Sequence, residues 1–222
     1  MQLEILHGVH SKKLILFFNG WGMDSGLVKH LLPEDYQVIE VHDYTEMSFR
    51  FNFEKYNEIN IIAWSMGVWA ASVVLPDIQY NNCIAINGTP FPCHNTYGIP
   101  EDVFEGTLKN WNEKNREKFE RRVCGLSTAY DHFKSLANQR NTESQRLELK
   151  MIYDLIKMNS DSSEIQRNPF QNAVIGTKDL IYSLSNQLNS WSLYKVNHVV
   201  KVLPHFPFEK VTKWSDILAW KQ

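Results

Sequence analysis

Asn60-Ile-Ile-Ala-Trp-Ser65-Met-Gly-Val-Trp-Ala-Ala71 decides how this chain reads. The stretch up to Trp64 has the length and apolar character of a buried strand. Residues 66–75 have the composition of a helix, which Pro76 stops. Ala63-Trp64-Ser65-Met66-Gly67 sits at the junction and has the form small-x-Ser-x-small. A strand-to-helix turn this tight leaves no room for side chains two before and two after the serine. It lifts the hydroxyl clear of the sheet. It also puts that hydroxyl and the next backbone N–H at a helix N-terminus, where developing negative charge is stabilised. Ser65 therefore reads as a nucleophile more than as a helix cap. The pentapeptide alone is common, matching by chance in roughly one chain of this length in three. Gly125-Leu-Ser-Thr-Ala129 is a second match. It follows charged Glu120-Arg121-Arg122 where a strand should stand, so context favours Ser65.

The surrounding sequence extends the pattern. Residues 2–6, 13–18, 36–41 and 83–87 read as further strands, and strands return at 172–175 and 198–203. Near-continuous apolar strands separated by helices predict a mostly parallel sheet covered on both faces. Residues 186–193 and 208–220 read as helices. Between about 92 and 168 there is almost no β-branched run. Residues 101–124 and 128–158 are instead rich in Lys, Glu, Arg, Gln and Leu at helical spacing. The expected organisation is an α/β core made of 1–91 and 169–222, with a helical lid inserted at 92–168.

Three further loops at strand ends carry candidate chemistry. Phe17-Phe-Asn-Gly-Trp21-Gly-Met-Asp24 closes the second strand, and its glycines allow a sharp turn close to a ligand. The backbone N–H of Trp21 is the expected second oxyanion donor beside that of Met66, and the Trp21 indole is expected to wall the substrate pocket. Asp179 follows a strand and the turn Gly176-Thr-Lys, where an acid can hold a histidine in the right tautomer. Asp43, after an earlier strand, is its nearest rival, and no acid directly follows the 83–87 strand. His205 lies in Pro204-His-Phe-Pro207 just past the last strand, with prolines that keep it out of helix. His198 is at the wrong end of that strand, because open α/β sheets build sites at their carboxyl ends. The order Ser65, Asp179, His205 is that of the α/β-hydrolases.

The chain as a whole resembles the α/β-hydrolase superfamily. More closely, Phe-Asn-Gly-Trp-Gly-Met-Asp at 18–24, Ala-Trp-Ser-Met-Gly-Val-Trp at 63–69 and Ile-Asn-Gly-Thr-Pro at 86–90 resemble a small bacterial group. Gly-Thr-Lys-Asp at 176–179, Asn-Gln at 186–187 and Pro-His-Phe-Pro at 204–207 add to the match. That group contains the pimeloyl-acyl-carrier-protein methyl ester esterases of biotin synthesis. The resemblance implies a serine esterase with its triad on Ser65, Asp179 and His205, releasing methanol from a methyl ester whose other end is a thioester on the carrier protein. Asn19 stands where many relatives carry His, and Ala63 replaces the commoner Gly of the superfamily.

An acidic carrier protein needs a basic landing surface. Lys109, Lys114, Arg116, Lys118, Arg121 and Arg122 form a cationic stretch against Glu113, Glu117 and Glu120. It reads equally as a solvated helix face with internal ion pairs. Trp111 and Phe119 on the same stretch are candidates to line the substrate pocket, or to pack the lid down. No cofactor is expected, and no His/Cys cluster has metal spacing. Two rivals keep the fold: another carboxylesterase or thioesterase acting on a small ester or acyl thioester, and a catalytically dead hydrolase used for binding.

Composition narrows the field further. A chain of 222 residues with formal charge −2 is one small hydrolase core plus a lid, and it is no nucleic-acid polycation. Cys83, Cys93 and Cys124 form no CxxC pair, which predicts a reducing, cytoplasmic setting. The five-residue apolar run 14–18 is too short for a secretion signal or a membrane span. A monomer without membrane or nucleic-acid partners is expected.

Overall fold

The chain lays down β1 (Gln2–His7), β2 (Lys13–Phe18), β3 (Tyr36–His42) and β4 (Glu58–Trp64), then α1 (Met66–Val74) and β5 (Asn82–Ile86). Among the described residues four helices follow: α2 (Glu101–Lys109), α3 (Glu113–Cys124), α4 (Ser127–Ser135) and α5 (Thr142–Met158). β6 (Asn172–Lys178), α6 (Leu184–Leu193), β7 (Asn197–Pro204) and α7 (Trp214–Leu218) complete the order. The computed structural model describes residues 1–8, 10–125, 127–136, 140–158 and 167–221, with only the backbone of Ser127 and Thr128. Positions 137–139 of the predicted helical stretch, and 159–166 of the predicted insertion, lie outside the described residues.

The strands form one seven-stranded sheet in the order β1-β3-β2-β4-β5-β6-β7. β1 runs antiparallel to β3, and every other neighbouring pair is parallel. The α/β-hydrolase architecture read from the sequence is therefore present. Period-two alternation on a doubly covered sheet feeds two cores. Leu14, Leu16, Phe18, Ile61 and Ala63 pack on one side, and Ile15, Phe17, Ile62 and Trp64 on the other. This is why residues 14–18 of β2 and 61–64 of β4 are apolar at every position. β1 and β7 are edges, with largely exposed residues.

Some boundaries differ from expectation. The helical run 101–124 divides because Asn112 caps α3, accepting from the Asn115 N–H at 3.1 Å. Gly125, at φ 75°, then ends α3 in the left-handed conformation. Helix 208–220 contracts to α7 and a short 3₁₀ turn, Ala219–Lys221. Residues 208–213 instead form a strap held by Leu32, whose N–H donates to the Thr212 carbonyl at 2.8 Å and whose carbonyl accepts from Trp214 at 3.2 Å. Phe208, Val211 and Trp214, spaced like a helix face, are all buried in the strap and its neighbour, so helical periodicity misreads them. Cys83, Cys93 and Cys124 are buried free thiols. Among the described residues no helix is long and apolar enough to cross a membrane.

Candidate active site

Ser65 leaves the central strand β4 with φ 57° and ψ −125°, a conformation a non-glycine residue adopts only under constraint. The constraint is the crossing of backbones around it. A Cβ on Gly67 would stand 2.3 Å from the Phe18 carbonyl oxygen, and one on Gly88 would stand 2.3 Å from that of Ser65. Ala63, two before the serine, is fully buried. In the second small-x-Ser-x-small match Gly125 caps α3 and Ser127 opens α4, so a helix and not a strand precedes that serine.

The three chemically distinct side chains meet at the carboxyl ends of β4, β6 and β7. His205 Nε2 is 2.8 Å from Ser65 Oγ, and His205 Nδ1 is 2.9 Å from Asp179 Oδ2. All three are buried. The carboxylate is itself held. Asp179 Oδ1 accepts from the N–H groups of Ile181 (2.7 Å) and Tyr182 (2.9 Å), and Oδ2 accepts from Gln187 Nε2 (3.2 Å). The rival Asp43 sits elsewhere, accepting from Thr45 and pairing with Arg140 at 3.6 Å.

Residues to which the sequence lent no role fix the histidine. Trp64 Nε1 donates to the His205 carbonyl at 2.7 Å. Asn87, at φ 46° after β5, donates through Nδ2 to the carbonyls of Pro204 (2.8 Å) and His205 (3.0 Å). Its Oδ1 accepts from Gly176 N–H at 2.7 Å. Asn87 thus ties the ends of β5, β6 and β7 together. The Tyr182 ring stacks on the imidazole at 6.0 Å. A polar residue just past a strand and before a glycine is the signal that could have singled out Asn87. Gln187 on α6 stands out only through the Asn-Gln pair at 186–187.

The loop after β2 forms a β-turn. The Met23 N–H donates to the Gly20 carbonyl at 3.2 Å, and Gly22 takes the positive φ (70°) required at the third position of a type II turn. In a trans peptide the N–H points opposite its carbonyl. The Gly20 carbonyl faces into the turn, so the Trp21 N–H faces out of it. A Cβ on Gly20 would lie 3.4 Å from Ser65 Cβ, so the turn rests against the serine. Met66 opens α1, and its N–H is one of the first-turn donors without an intrahelical acceptor. Gly20, Trp21, Ser65, Met66 and His205 line one cleft.

The rest of that cleft is mostly apolar, with Ile99, Phe104, Phe119, Val123 and Leu149 among its walls. Its cavity volume is about 40 Å³, room for a few waters. Phe119 lines it, as expected. Trp111 does not. It packs behind Trp21, ring centroids 4.5 Å apart, and completes an aromatic trio with Phe119. The basic stretch also divides. Lys109, Lys114, Lys118, Arg121 and Arg122 are exposed, and Arg122 reaches the cleft wall. Arg121 is paired with Glu117 at 2.8 Å and stacks over Tyr130 at 4.2 Å. Arg116 is no docking residue: it turns inward, bonding Glu120 at 2.8 Å and the Arg140 carbonyl at 2.8 Å.

The fold also assembles a cluster that sequence spacing hid. Glu4, Glu40 and His42 bring ligand atoms within 4.8 Å of one another from adjacent strands. His42 lies 3.2 Å from Glu40, and Glu4 pairs with Lys29 at 3.3 Å.

Comparison with known proteins narrows the chemistry. A family model described as pimeloyl-ACP methyl esterase BioG matches residues 4–217. The chain is 43% identical over 188 residues to a Bacteroides fragilis protein named malonyl-[acyl-carrier protein] O-methyltransferase. That match covers 82% of this chain and 37% of the relative, so the chain spans just over a third of that protein. A crystal structure of BioG from Haemophilus influenzae superposes with TM-score 0.90 and 32% identity, covering 99% of this chain and all of that one. A hydrolase from Oleispira antarctica shares the fold at TM-score 0.60 and 14% identity, covering 93% of this chain and 88% of that one.

Proposed function

As the chain belongs to the pimeloyl-ACP methyl esterase BioG family, we propose that it is a serine esterase that hydrolyses the methyl ester of a pimeloyl chain carried on acyl carrier protein. The observation that carries the reading is the unbroken chain of hydrogen bonds from Ser65 through His205 to Asp179, set in a cleft that Trp21 and Met66 also line. His205 takes the Ser65 proton as Oγ attacks the ester carbonyl. The N–H groups of Trp21 and Met66 receive the oxyanion. Collapse of the tetrahedral intermediate expels methanol, protonated by His205. Water, deprotonated by the same imidazole, attacks the acyl-serine and releases the free carboxylic acid. Asp179 holds His205 Nδ1, and its own three hydrogen bonds keep the carboxyl group fixed for that task.

The methyltransferase relative supports the substrate class. Its name describes methyl transfer to an acyl group on a carrier protein, and a methyl ester so formed is the bond this site suits. The mostly apolar walls suit a methylene chain. Ile99, Phe104, Phe119 and Val123, which narrow the cleft, come from the stretch 92–168, which acts as a lid over it. Lys109, Lys114, Lys118 and Arg122 form the landing surface for the acidic carrier. Buried free thiols suit the cytoplasm.

Mass spectrometry of methyl pimeloyl-carrier protein tests this. Wild type should remove 14 Da, roughly the mass of one CH₂, and Ser65→Ala should not. Cleavage of p-nitrophenyl esters with the carrier-bound ester left intact would refute the substrate in favour of a general carboxylesterase. Wild type that never labels with a fluorophosphonate would refute the enzyme.

A further inference from the structure

α5 belongs to the inserted helices, yet two of its side chains reach the turn that carries the oxyanion donor. Glu148, fully buried, accepts the Gly22 N–H on Oε2 at 3.1 Å and the Tyr44 N–H on Oε1 at 2.9 Å. Arg140 donates to the same Oε2 at 3.1 Å. One helical turn earlier, Gln145 Nε2 donates to the Gly22 carbonyl at 2.8 Å, and the Gln145 backbone carbonyl accepts the Trp21 indole N–H at 2.7 Å. A Cβ on Gly22 would meet the Gln145 side chain at 3.0 Å, so the contact is tight as well as polar.

Gly22 is thus gripped on both of its peptide groups, and Trp21 by its side chain. With the Trp21–Gly22 peptide fixed and the Gly20 carbonyl held by Met23, little freedom remains in the peptide that bears the Trp21 N–H. None of these contacts touches the position of a substrate. They orient a group that does.

We propose that Gln145 and Glu148 are positioning residues for the ester hydrolysis, fixing the Trp21 N–H at the oxyanion position from the inserted helix α5. The inference rests on the esterase reading above. A buried carboxylate is a costly choice for mere packing, since an apolar side chain would fill the same space without desolvating a charge. Its value lies in accepting two backbone N–H groups from loops that follow different strands, which no apolar residue can do.

The test compares Glu148→Gln, Gln145→Ala and, as a control on the same helix, Leu147→Ala, which is half exposed. Substrate is p-nitrophenyl butyrate, and an alkyl boronic acid serves as the mimic of the tetrahedral intermediate. Losing a whole oxyanion donor costs about 10²–10³ in kcat, so misplacing one should cost roughly 10-fold. The expected result is that kcat falls in both variants with KM within about twofold, and that boronate Ki rises by the same factor as kcat falls. Leu147→Ala should match wild type. A folded variant with wild-type kcat and boronate affinity overturns the inference, as does a loss confined to KM. If Glu148→Gln does not fold, Gln145→Ala decides alone. Wild type that neither hydrolyses the ester nor labels with a fluorophosphonate overturns the esterase reading and this inference together, whereas active wild type with unaltered variants overturns only this one.

Discussion

Asn87 is the residue whose removal should cost most for its size. It is buried, and its amide makes three hydrogen bonds across the ends of β5, β6 and β7. In Asn87→Ala the buried Gly176 N–H loses its acceptor, a penalty of about 1–3 kcal/mol. The Pro204 carbonyl loses its side-chain donor, while the His205 carbonyl keeps Trp64. Holding alanine at the left-handed φ of 46° adds about 1 kcal/mol. The total is about 2–4 kcal/mol, or a fall in Tm of roughly 4–16 °C for a chain of this size. Asn87→Gly removes the same hydrogen bonds without the backbone strain, so it should be about 1 kcal/mol the milder. Asn87→Asp keeps an acceptor for Gly176 but sets a negative oxygen against two carbonyls, and it should rescue neither stability nor rate. Because His205 loses one of its two backbone anchors, kcat should drop roughly 10-fold. Urea unfolding followed by tryptophan fluorescence, with steady-state hydrolysis of a p-nitrophenyl ester, measures both quantities. Variants within about 0.5 kcal/mol of wild type and equally active would refute the idea that Asn87 holds the histidine loop.

Further outcomes follow from burial and charge. Burial pushes the Glu148 carboxyl up to about 6 from an ordinary 4.5, against the opposing pull of Arg140 and the N–H groups of Tyr44 and Gly22 and alongside the Asp43 carboxylate. The folded state then binds this proton more tightly than the unfolded chain. Its contribution to stability should therefore fall by about 2 kcal/mol as pH rises from about 4.5 to 6. Urea unfolding across that range should show this slope in wild type and not in Glu148→Gln, and a difference that grew with pH would contradict the burial. Burial also raises the Cys93 thiol to about 11 and Cys124 to about 12. A disulfide reagent at neutral pH should thus label native protein slowly and all three thiols quickly in denaturant; fast native labelling would count against the packing. Charge reversal separates the basic residues. Lys114→Glu with Lys118→Glu should raise KM for the carrier-bound ester and leave the p-nitrophenyl ester unaffected. Arg116→Glu should instead lower Tm, and a purely kinetic effect there would contradict its inward pairing.

Much of the fold was legible because the central strands carry one continuous signal. β2 and β4 are apolar on both faces, and the turn after β4 admits only small residues at 63 and 67. The strand-end positions of Ser65, Asp179 and His205 followed from order along the chain. The strap at 208–213 was not legible, since its apolar spacing suits helix and extended chain alike. Arg116 read as solvent-facing because nothing in local sequence shows that Arg140 would lie beside it. The face of α5 that packs inward is Gln145, Glu148, Leu149 and Ile152, two polar residues and two apolar. Hydrophobic periodicity cannot mark the first two, because what they satisfy are backbone groups more than a hundred positions away.

The base comes at the end of β7, and among the described residues β7 pairs with β6 alone, its outer edge lacking a neighbouring strand. Edge strands open most readily, so amide protons on β7 should exchange with solvent earlier than those of β4. His205 is not left to that ladder. Its carbonyl is moored inward, to Trp64 on the central strand and to Asn87 beyond β5. The edge can breathe on the exchange timescale while the imidazole stays in register with Ser65, so the lifetime of the working site is set by the interior of the sheet and not by its margin.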